Sequence, residues 1–435
     1  MAYPTIPNFG EKVKDVGFYA ELMHEYGAEG IQAIIDKFNA QMEETVAEIA
    51  ALPINQELKA REPDCLNEIR ALRTDGPRRL WKSFDEEKYR EKLRGAFYAR
   101  AAGCTLGSIV EFWPPETMEK WAEYTGGDFP PTDYWPAITN PIDLRYGKCP
   151  REMYTRDKMD GIPVDDDIAY TLLGLLIAED HGIDFTVDSV GAAWVKYLPY
   201  ACTAEAVALE NLKKGIAPMD AAIPNNPFVQ WIGADIRSDP FAYMAPGYPE
   251  YAAKMAYTDA YVSHRRNGIY GEMFFAAAQA AAFEVDNPID ALKIGLTEIP
   301  RDCTLYRDVV WALEAGKSVK NHKDAVAVME ERFKGMSGVH TNNNAVLTIF
   351  GLMIGQLDVT RVISELIAMS YDNDCTAATA GSIVGAIVGA KGVPAHWYKN
   401  FNNKVHSYLN GPDTFVLDDI LDRYEVQAKK VLGSK

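Results

Sequence analysis

Apolar residues recur at intervals of three and four along most of the chain, which is the spacing of one face of an α-helix. The pattern is clear in the segments 15–51, 65–72, 88–106, 187–197 and 203–214. No segment shows four or five alternating strand residues flanked by hairpin turns. We therefore predict an all-α fold.

Small residues recur every four positions in two of the predicted helices. On a helix with about 3.6 residues per turn, this spacing draws a narrow stripe along which a second backbone can approach closely. The stripes consist of Gly95, Ala99, Gly103 and Gly107 in the first helix and Ala377, Gly381, Gly385 and Gly389 in the second. Both helices are expected to pack tightly against partner helices, and the second should be central and buried.

Two carboxylates, Asp372 and Asp374, directly precede the second stripe. The N-terminus of a helix favours negative charge, and helix capping accounts for one of these acids. The other would leave charge at the edge of an apolar core, and a bound cation would remove that cost. The pair is therefore a candidate metal site.

Asp165, Asp166 and Asp167 form a second acidic cluster, again directly before an apolar helix. Three adjacent acids are usually a solvated turn, but a second cluster in the same chain favours a shared cation. Because no group of His or Cys accompanies the acids, their oxygen atoms suit Mg²⁺, Mn²⁺ or Ca²⁺ rather than zinc. We predict that the two clusters lie within a few ångströms of each other.

Composition narrows the class of protein. The chain has 435 residues, 48% of them hydrophobic, and a formal net charge of −18, which argues against nucleic acid and anionic membranes as partners. The N-terminus lacks the features of a secretory signal, and the most apolar run, 377–390, is shorter than the roughly 20 residues of a membrane span. We expect a cytoplasmic protein with no membrane span, whose scattered cysteines are free thiols.

The chain is expected to have two parts. Residues 1–87 are predicted to be an N-terminal helical extension packed on the core, and residues 88–435 are predicted to form the core itself. Within the core, residues 114–163 are rich in Pro, Gly, Trp and Tyr and show little periodicity. A long irregular stretch of this kind is typically a functional loop or a cover over a site.

Two polar segments are candidates for binding a ligand. His264 is followed by Arg265, Arg266 and an Asn-Gly pair, a combination that suits an anion as well as a structural role. His340 is followed within four residues by three asparagines. Capping explains one of these amides, whereas the row of three also suits hydrogen bonding to sugar hydroxyls.

Four separated motifs give the chain a resemblance to a known family. They are Gly103-Cys104-Thr105-Leu106-Gly107 with Glu111, the cluster Asp165-Asp166-Asp167, Ser263-His264 with Asn267-Gly268-Ile269-Tyr270-Gly271-Glu272, and Asp372-Asn373-Asp374-Cys375. In this order, over about residues 88–398, they resemble the ADP-ribosylglycohydrolase family. The N-terminal helices resemble the extension of larger bacterial members.

The resemblance implies a compact multi-helix bundle with a binuclear cleft for two divalent cations, Mg²⁺ or Mn²⁺. The metal ligands that it implies are Asp165, Asp166, Asp167, Asp372 and Asp374. Asp165 stands where the family pattern has a hydroxyl ligand. Cys375 stands where the pattern has Thr, and whether its thiol contacts a metal is left open.

The resemblance also implies an activity, which is hydrolysis of the glycosidic bond at C1 of a ribosyl group by a metal-oriented water. Glu111, Asp166 and Asp374 become the catalytic residues, with Glu111 as general base on the water or as a gate to it. The residues expected to bind the substrate are His264, Asn267, Gly268, Tyr270, Gly271, Asn343 and Asn344. The substrate would be an ADP-ribosyl conjugate, such as an ADP-ribosylated protein, or a nucleoside-like small molecule.

Two other functions compete with this hypothesis. A ligand-binding protein without turnover, like the crystallin-like relatives of the family, would have lost Glu111 or the Asp372–Asp374 pair, and both are present. A metal-dependent phosphohydrolase also uses paired carboxylates and two ions. The products separate it from a glycosidase, because it would release phosphate or nucleotide fragments instead of a ribose-type sugar.

Overall fold

A computed structural model describes residues 3–137 and 151–433, and its secondary structure is almost entirely helical. This confirms the predicted all-α fold. The α-helices of the described residues are α1 (Phe9–Glu25), α2 (Ile31–Ala50), α3 (Gln56–Arg61), α4 (Leu66–Leu72), α5 (Glu86–Gly107), α6 (Pro115–Thr125), α7 (Asp166–His181), α8 (Val187–Tyr197), α9 (Thr203–Lys213), α10 (Asp239–Met244), α11 (Pro249–Ala260), α12 (Asn267–Ala282), α13 (Pro288–Leu296), α14 (Thr304–Ala315), α15 (His322–Arg332), α16 (Thr341–Gly355), α17 (Val359–Ala368), α18 (Asn373–Val388) and α19 (Leu417–Gly433).

Among the described residues, short 3₁₀ segments and one small β-ribbon complete the secondary structure. The 3₁₀ segments are Glu152–Tyr154, Ile232–Arg237, Ala390–Gly392 and Ala395–Trp397. The ribbon pairs β1 (Lys404–His406) with β2 (Thr414–Val416) in antiparallel register, with Val405 opposite Phe415. None of the described helices is long and apolar enough to cross a membrane.

The described residues divide into two compact units. The first comprises residues 3–60 with Lys334–Met336 and contains α1 and α2, neither of which buries a side chain. Large apolar side chains are exposed on both helices, namely Phe9, Val13, Phe18, Tyr19, Leu22, Met23, Ile34, Val46 and Ile49. The boundary at residue 87 and the packing of an extension on the core remain predictions.

The second unit comprises residues 61–333 and 337–433 and contains the hydrophobic core. Every residue of α12 is buried, and α18 is buried from Asn373 to Ala386, so the predicted central position of α18 is confirmed. The described cysteines Cys65, Cys104, Cys202, Cys303 and Cys375 are free, as expected. Cys149 lies outside the described residues.

The two small-residue stripes pack against each other, along a seam between α5 and α18. A Cβ atom added to Gly103 would lie 2.5 Å from the carbonyl carbon of Ala377, and one added to Gly385 would lie 2.7 Å from that of Gly95. Both distances are far below ordinary van der Waals contact, so only glycine allows the two backbones to approach this closely. The predicted close packing of both helices is thus confirmed, and the partner of each is the other.

The stretch 114–163, expected to be irregular, contains α6. Pro115 occupies the first turn of this helix, where its missing N–H is not needed, and Gly126 ends it with a positive φ of 72°. The helix buries Met118 and Trp121, and the Trp121 ring stacks on that of Trp135 at 4.6 Å. Residues 138–150 of the stretch lie outside the described part of the chain.

Candidate active site

The two acidic clusters meet where the N-termini of α7 and α18 come together. In one group, a carboxylate oxygen of Asp167, a carboxylate oxygen of Asp374 and the Cys375 sulfur all lie within 4.8 Å of one another. In a second group, carboxylate oxygens of Glu111, Asp372 and Asp374 lie within 4.8 Å of one another. The predicted approach of clusters some two hundred residues apart is confirmed.

Contact between α5 and α18 sets the position of this site. A Cβ atom on Gly107, the last residue of α5, would lie 2.5 Å from the backbone nitrogen of Asp374. One residue further along, the Ser108 hydroxyl donates a 2.6 Å hydrogen bond to Asp165. The end of α5 therefore contacts both acidic clusters and fixes the distance between them.

Asp165 and Asp167 are oriented by hydrogen bonds from several elements. Asp165 caps α7 by accepting from the Asp167 N–H at 3.1 Å. The buried guanidinium of Arg100 donates to the Asp167 carbonyl at 2.7 Å and also pairs with Asp239 at 2.7 Å. The Cys375 thiol donates to Asp167 Oδ2 at 3.1 Å, and burial, followed by the charge of Asp167, raises the pKa of this thiol well above its ordinary value. Cys375 is thus placed as a protonated hydrogen-bond donor to the acids.

The charge of the cluster is poorly compensated by the described residues of the protein. Burial raises the pKa of Asp374 well above that of an ordinary carboxyl group, and the charges of Glu111 and Asp372 raise it further. The Oδ1 atoms of Asp372 and Asp374 are buried without a hydrogen-bond partner in the described part of the chain. Such oxygens are the ligands that hard divalent cations prefer, so the acidic cluster fits a metal ion.

Glu111 lies at the mouth of the site with an exposed side chain. Partial desolvation, together with the charges of Asp372 and Asp165, raises the pKa of Glu111 to about 7. A carboxyl group with this pKa is well matched to accept a proton from water near neutral pH.

Backbone strain is concentrated next to the acids at the mouth. Phe112, Ser370 and Tyr371 have positive φ angles of 59°, 66° and 62°, a region that residues with side chains rarely adopt. The Phe112 N–H donates to the Tyr371 carbonyl at 3.0 Å, which ties the two strained segments together. These segments directly adjoin Glu111 and Asp372, so the strained backbone fixes the positions of both carboxylates.

A cleft of about 640 Å³ opens from the acidic cluster. Besides Glu111, Asp165, Asp166, Asp372, Asp374 and Cys375, its wall includes Tyr154, Tyr170, Tyr200, Cys202, Glu205, Trp231 and Tyr408. The sequence motifs do not identify these further residues. Only Tyr170 carries a signal, because it lies four positions after Asp166 and therefore on the same face of α7.

None of the seven residues expected to bind the substrate lies among the residues that line this cleft. Asn343 and Asn344 donate to the carbonyls of Ser337 and Gly338, both at 2.8 Å, and thereby hold the turn before α16. The His264 ring lies 2.8 Å from the Ser263 hydroxyl and is fully buried. The hydrogen bonds of the two asparagines therefore support the backbone before α16.

The rest of this group lies at the start of α12 and is also engaged with the protein. Asn267 accepts from the Leu305 N–H at 2.9 Å, and the Tyr270 hydroxyl donates to the Pro63 carbonyl at 2.5 Å. At Gly268 and Gly271, an added Cβ would collide with the Val229 carbonyl and with the Asp235 carboxyl group, respectively. These residues serve close packing at this end of α12.

The two arginines next to His264 are likewise engaged within the protein. Arg265 donates to the backbone carbonyl of Met219 at 2.7 Å, and Arg266 pairs with the buried Glu62. Neither lines the cleft, so neither is placed to bind an anion there.

Comparison with known protein families shows that one family model matches this chain. The profile of the ADP-ribosylglycohydrolase family, described as "ADP-ribosylglycohydrolase", matches residues 85–429. A solved structure titled "ADP-ribosylglycohydrolase-related protein complex" is similar at 16% sequence identity with a TM-score of 0.49, covering 80% of this chain and 99% of the other. No curated protein matches the chain significantly.

Proposed function

The chain belongs to the ADP-ribosylglycohydrolase family, and on this premise we propose that it is a metal-dependent hydrolase that cleaves the glycosidic bond at C1 of a ribosyl group. The observation that carries the proposal is the meeting of Glu111, Asp372 and Asp374 at one cleft, where the buried Oδ1 atoms of Asp372 and Asp374 have no hydrogen-bond partner among the described residues. The cleft volume of about 640 Å³ suits a small-molecule ligand.

The carboxylates at the bottom of the cleft would hold two divalent cations, Mg²⁺ or Mn²⁺. The proposed ligands are Asp165, Asp166, Asp167, Asp372 and Asp374. Cations held there would supply a binding site for sugar hydroxyls and for the attacking water, and would offset the charge of the buried carboxylates. Arg100, at 3.4 Å, and the Cys375 thiol, at 3.1 Å, donate to the Asp167 carboxylate and keep it in one orientation, while Ser108 does the same for Asp165.

Glu111 is assigned the proton transfer. Its exposed carboxyl group lies beside Asp372 and Asp374, where it would take a proton from the attacking water and release it after the reaction. His264, Asn267, Gly268, Tyr270, Gly271, Asn343 and Asn344 enter the proposal only as supports of the cleft wall.

The two acidic roles are tested by Asp374→Asn and Glu111→Gln, with Glu210→Gln, an exposed acid on α9, as control. Asp374→Asn should abolish turnover and weaken Mg²⁺ or Mn²⁺ binding, because it removes charge from the cluster. Without metal, the same variant should be at least as stable as wild type, because repulsion among buried carboxylates is relieved. Glu111→Gln should lower turnover about 10²- to 10⁴-fold and leave metal binding largely intact.

The assay is a panel of ADP-ribosylated proteins, ADP-ribose derivatives and nucleosides, with released base, sugar and phosphate quantified and metal affinity measured by calorimetry. Absence of cleavage of every compound by wild type would contradict the proposal, and release of phosphate instead of sugar would indicate a phosphohydrolase. If Glu111→Gln loses the metal while Asp374→Asn keeps it, the two roles are assigned wrongly.

A further inference from the structure

Exposed apolar side chains are concentrated in α1, α2 and the residues next to them. Of the 26 large apolar side chains that are exposed among the described residues, 14 lie between Tyr3 and Ile54, which is about an eighth of the chain. Apolar residues exposed singly are ordinary on a protein surface, whereas a concentration of them marks an interaction site. The first unit is therefore a candidate for an interface.

The helices α1 and α2 form an open groove of about 570 Å³ between them. Apart from Lys12 and Asp15, the residues that line this groove are apolar. They include Val16, Tyr19 and Met23 of α1 and Ile34, Ile35 and Phe38 of α2. Tyr19 and Ile34 are each 69% exposed, so the groove is accessible to a partner.

The apolar stripe of α2 reads nearly the same in both directions. It consists of Ile31, Ile35, Phe38, Met42, Val46 and Ile49. Counted from Ala40, apolar side chains lie two, five or six, and nine positions away on each side. Two α2 helices that run antiparallel about this residue would therefore place each apolar side chain beside an apolar side chain of the other copy. This pattern favours a second copy of the chain as the partner.

The charges of α2 favour the antiparallel direction. Its one cation, Lys37, lies in the N-terminal half of the helix, while Glu43, Glu44 and Glu48 lie in the C-terminal half. In a parallel pair, the acids of the two copies would lie side by side and repel each other. In an antiparallel pair, Lys37 of each copy lies level with the acids of the other, so opposite charges are brought together.

The size of the apolar face matches what a stable dimer needs. The helices α1 and α2 have 17 and 20 residues, which corresponds to lengths of about 25 and 30 Å at ~1.5 Å per residue. Side by side, with each helix about 10 Å wide, they present a face of roughly 550 Å² in projection. A specific interface buries about 800 Å² of accessible surface per partner, and accessible area exceeds projected area on an uneven surface.

We propose that the chain dimerises through α1 and α2, which form an antiparallel four-helix bundle with the same helices of a second copy. The C-terminal half of each α2, with Met42, Val46 and Ile49, covers the groove of the other copy. Because two-fold symmetry repeats every contact, both grooves are closed by one association step and the assembly stops at two copies. This inference does not depend on the hydrolysis proposed above.

Sedimentation equilibrium of the full chain over a range of concentrations tests the dimer, and the mass should rise from that of one chain to that of two. Ile49→Glu should raise the dissociation constant at least about 100-fold, because it would bury a charge in the bundle. Ile49 is 64% exposed in the single chain, so this variant should still fold. Ile223→Glu is the matched control, because Ile223 is 61% exposed and lies outside α1 and α2. It should keep the wild-type dissociation constant.

Lys37→Glu and Glu44→Lys test the direction of pairing. Each change alone should weaken the dimer several-fold, and the double variant should restore it, because the two positions lie level with each other only in the antiparallel pair. A double variant as weak as the single variants would overturn the antiparallel bundle.

Three results would overturn the dimer itself: the mass of a single chain at every concentration, an assembly larger than two copies, or a dimer that Ile49→Glu leaves intact. In the first case, a lower unfolding midpoint of Ile49→Glu would show that the apolar face packs within one chain. Limited proteolysis gives an independent measurement. In dilute solution α1 and α2 bury no side chain and should be cleaved quickly, whereas dimerisation at higher concentration should slow this cleavage.

Discussion

The contact between Gly107 and Asp374 allows the effect of a substitution in the backbone packing to be measured at the proposed metal site. In Gly107→Ala, the new Cβ would lie 2.5 Å from the Asp374 nitrogen, whereas ordinary contact begins at 3.4 Å, so α5 and α18 must separate locally by about 0.9 Å. Metal–ligand distances tolerate only about 0.2 Å. We therefore expect Mn²⁺ affinity to fall at least 10-fold and turnover to fall about 10²-fold.

Gly107→Ala should change the free energy of unfolding only modestly, although it lowers metal affinity and turnover strongly. Overpacking a close contact destabilises a protein by about 1–3 kcal/mol. Replacing glycine by alanine in a helix stabilises the helix by up to about 1 kcal/mol. The net loss in free energy of unfolding should then be between about 0 and 3 kcal/mol, which leaves the variant folded for the binding assay.

Calorimetric titration with Mn²⁺ and urea denaturation measure the two effects. Gly17→Ala is the control, because Gly17 lies within α1 and a Cβ there meets no atom within 4 Å. It should keep wild-type metal affinity. Wild-type Mn²⁺ affinity in a folded Gly107→Ala protein would refute the claim that backbone contact sets the distance between the clusters.

Three other predictions concern stability. Burial, and after it the charge of Arg266, lowers the pKa of His340 from 6.5 to about 4. The neutral imidazole of His340 therefore stabilises the folded state fully above pH 6.5, and this stabilisation is lost as the pH falls toward 4. His340→Asn should flatten that part of the pH dependence of urea unfolding, and exposed His24→Asn should not. Arg237→Met should cost about 3–5 kcal/mol, because it leaves three buried carboxylates without their shared cation. By contrast, Lys214→Ala, at an exposed ion pair, should cost less than about 0.5 kcal/mol in the same denaturation assay. Because α1 and α2 bury no side chain, limited proteolysis should cleave them first, and early cleavage in α12 instead would contradict this.

The acidic clusters and the small-residue stripes could be found in the sequence because their patterns have few physical explanations. Carboxylates directly before an apolar helix, such as Asp372 and Asp374, need a counter-charge if they are buried, and the apolar helix that follows them favours burial. Likewise, glycine at every fourth position serves close backbone contact, and Gly103 and Gly385 do so in the seam. In both cases the residue type, carboxylate or glycine, allows only a few kinds of surroundings in the folded protein.

The cleft wall could not be found in this way. An amide such as Asn344 satisfies its own turn or a sugar equally well, and the choice depends on carbonyls such as that of Gly338, whose position only the fold defines. Conversely, Tyr200 and Tyr408 come from segments without periodicity and meet through long-range packing. Tyrosines are common in cores, so residue type alone does not distinguish a tyrosine that lines a cleft.

The seam between α5 and α18 also has a consequence for the order of events during synthesis. The stripe from Gly95 to Gly107 leaves the ribosome with Asp165–Asp167 soon after it, but its partner stripe is made some 280 residues later. Until α18 has been translated and docked, the first acids have no companions and the helix that positions them has no neighbour along its glycine face. A nascent chain would therefore lack the complete acidic cluster until α18 has been translated and packed against α5, so formation of the cluster would report the folding of these two helices onto each other.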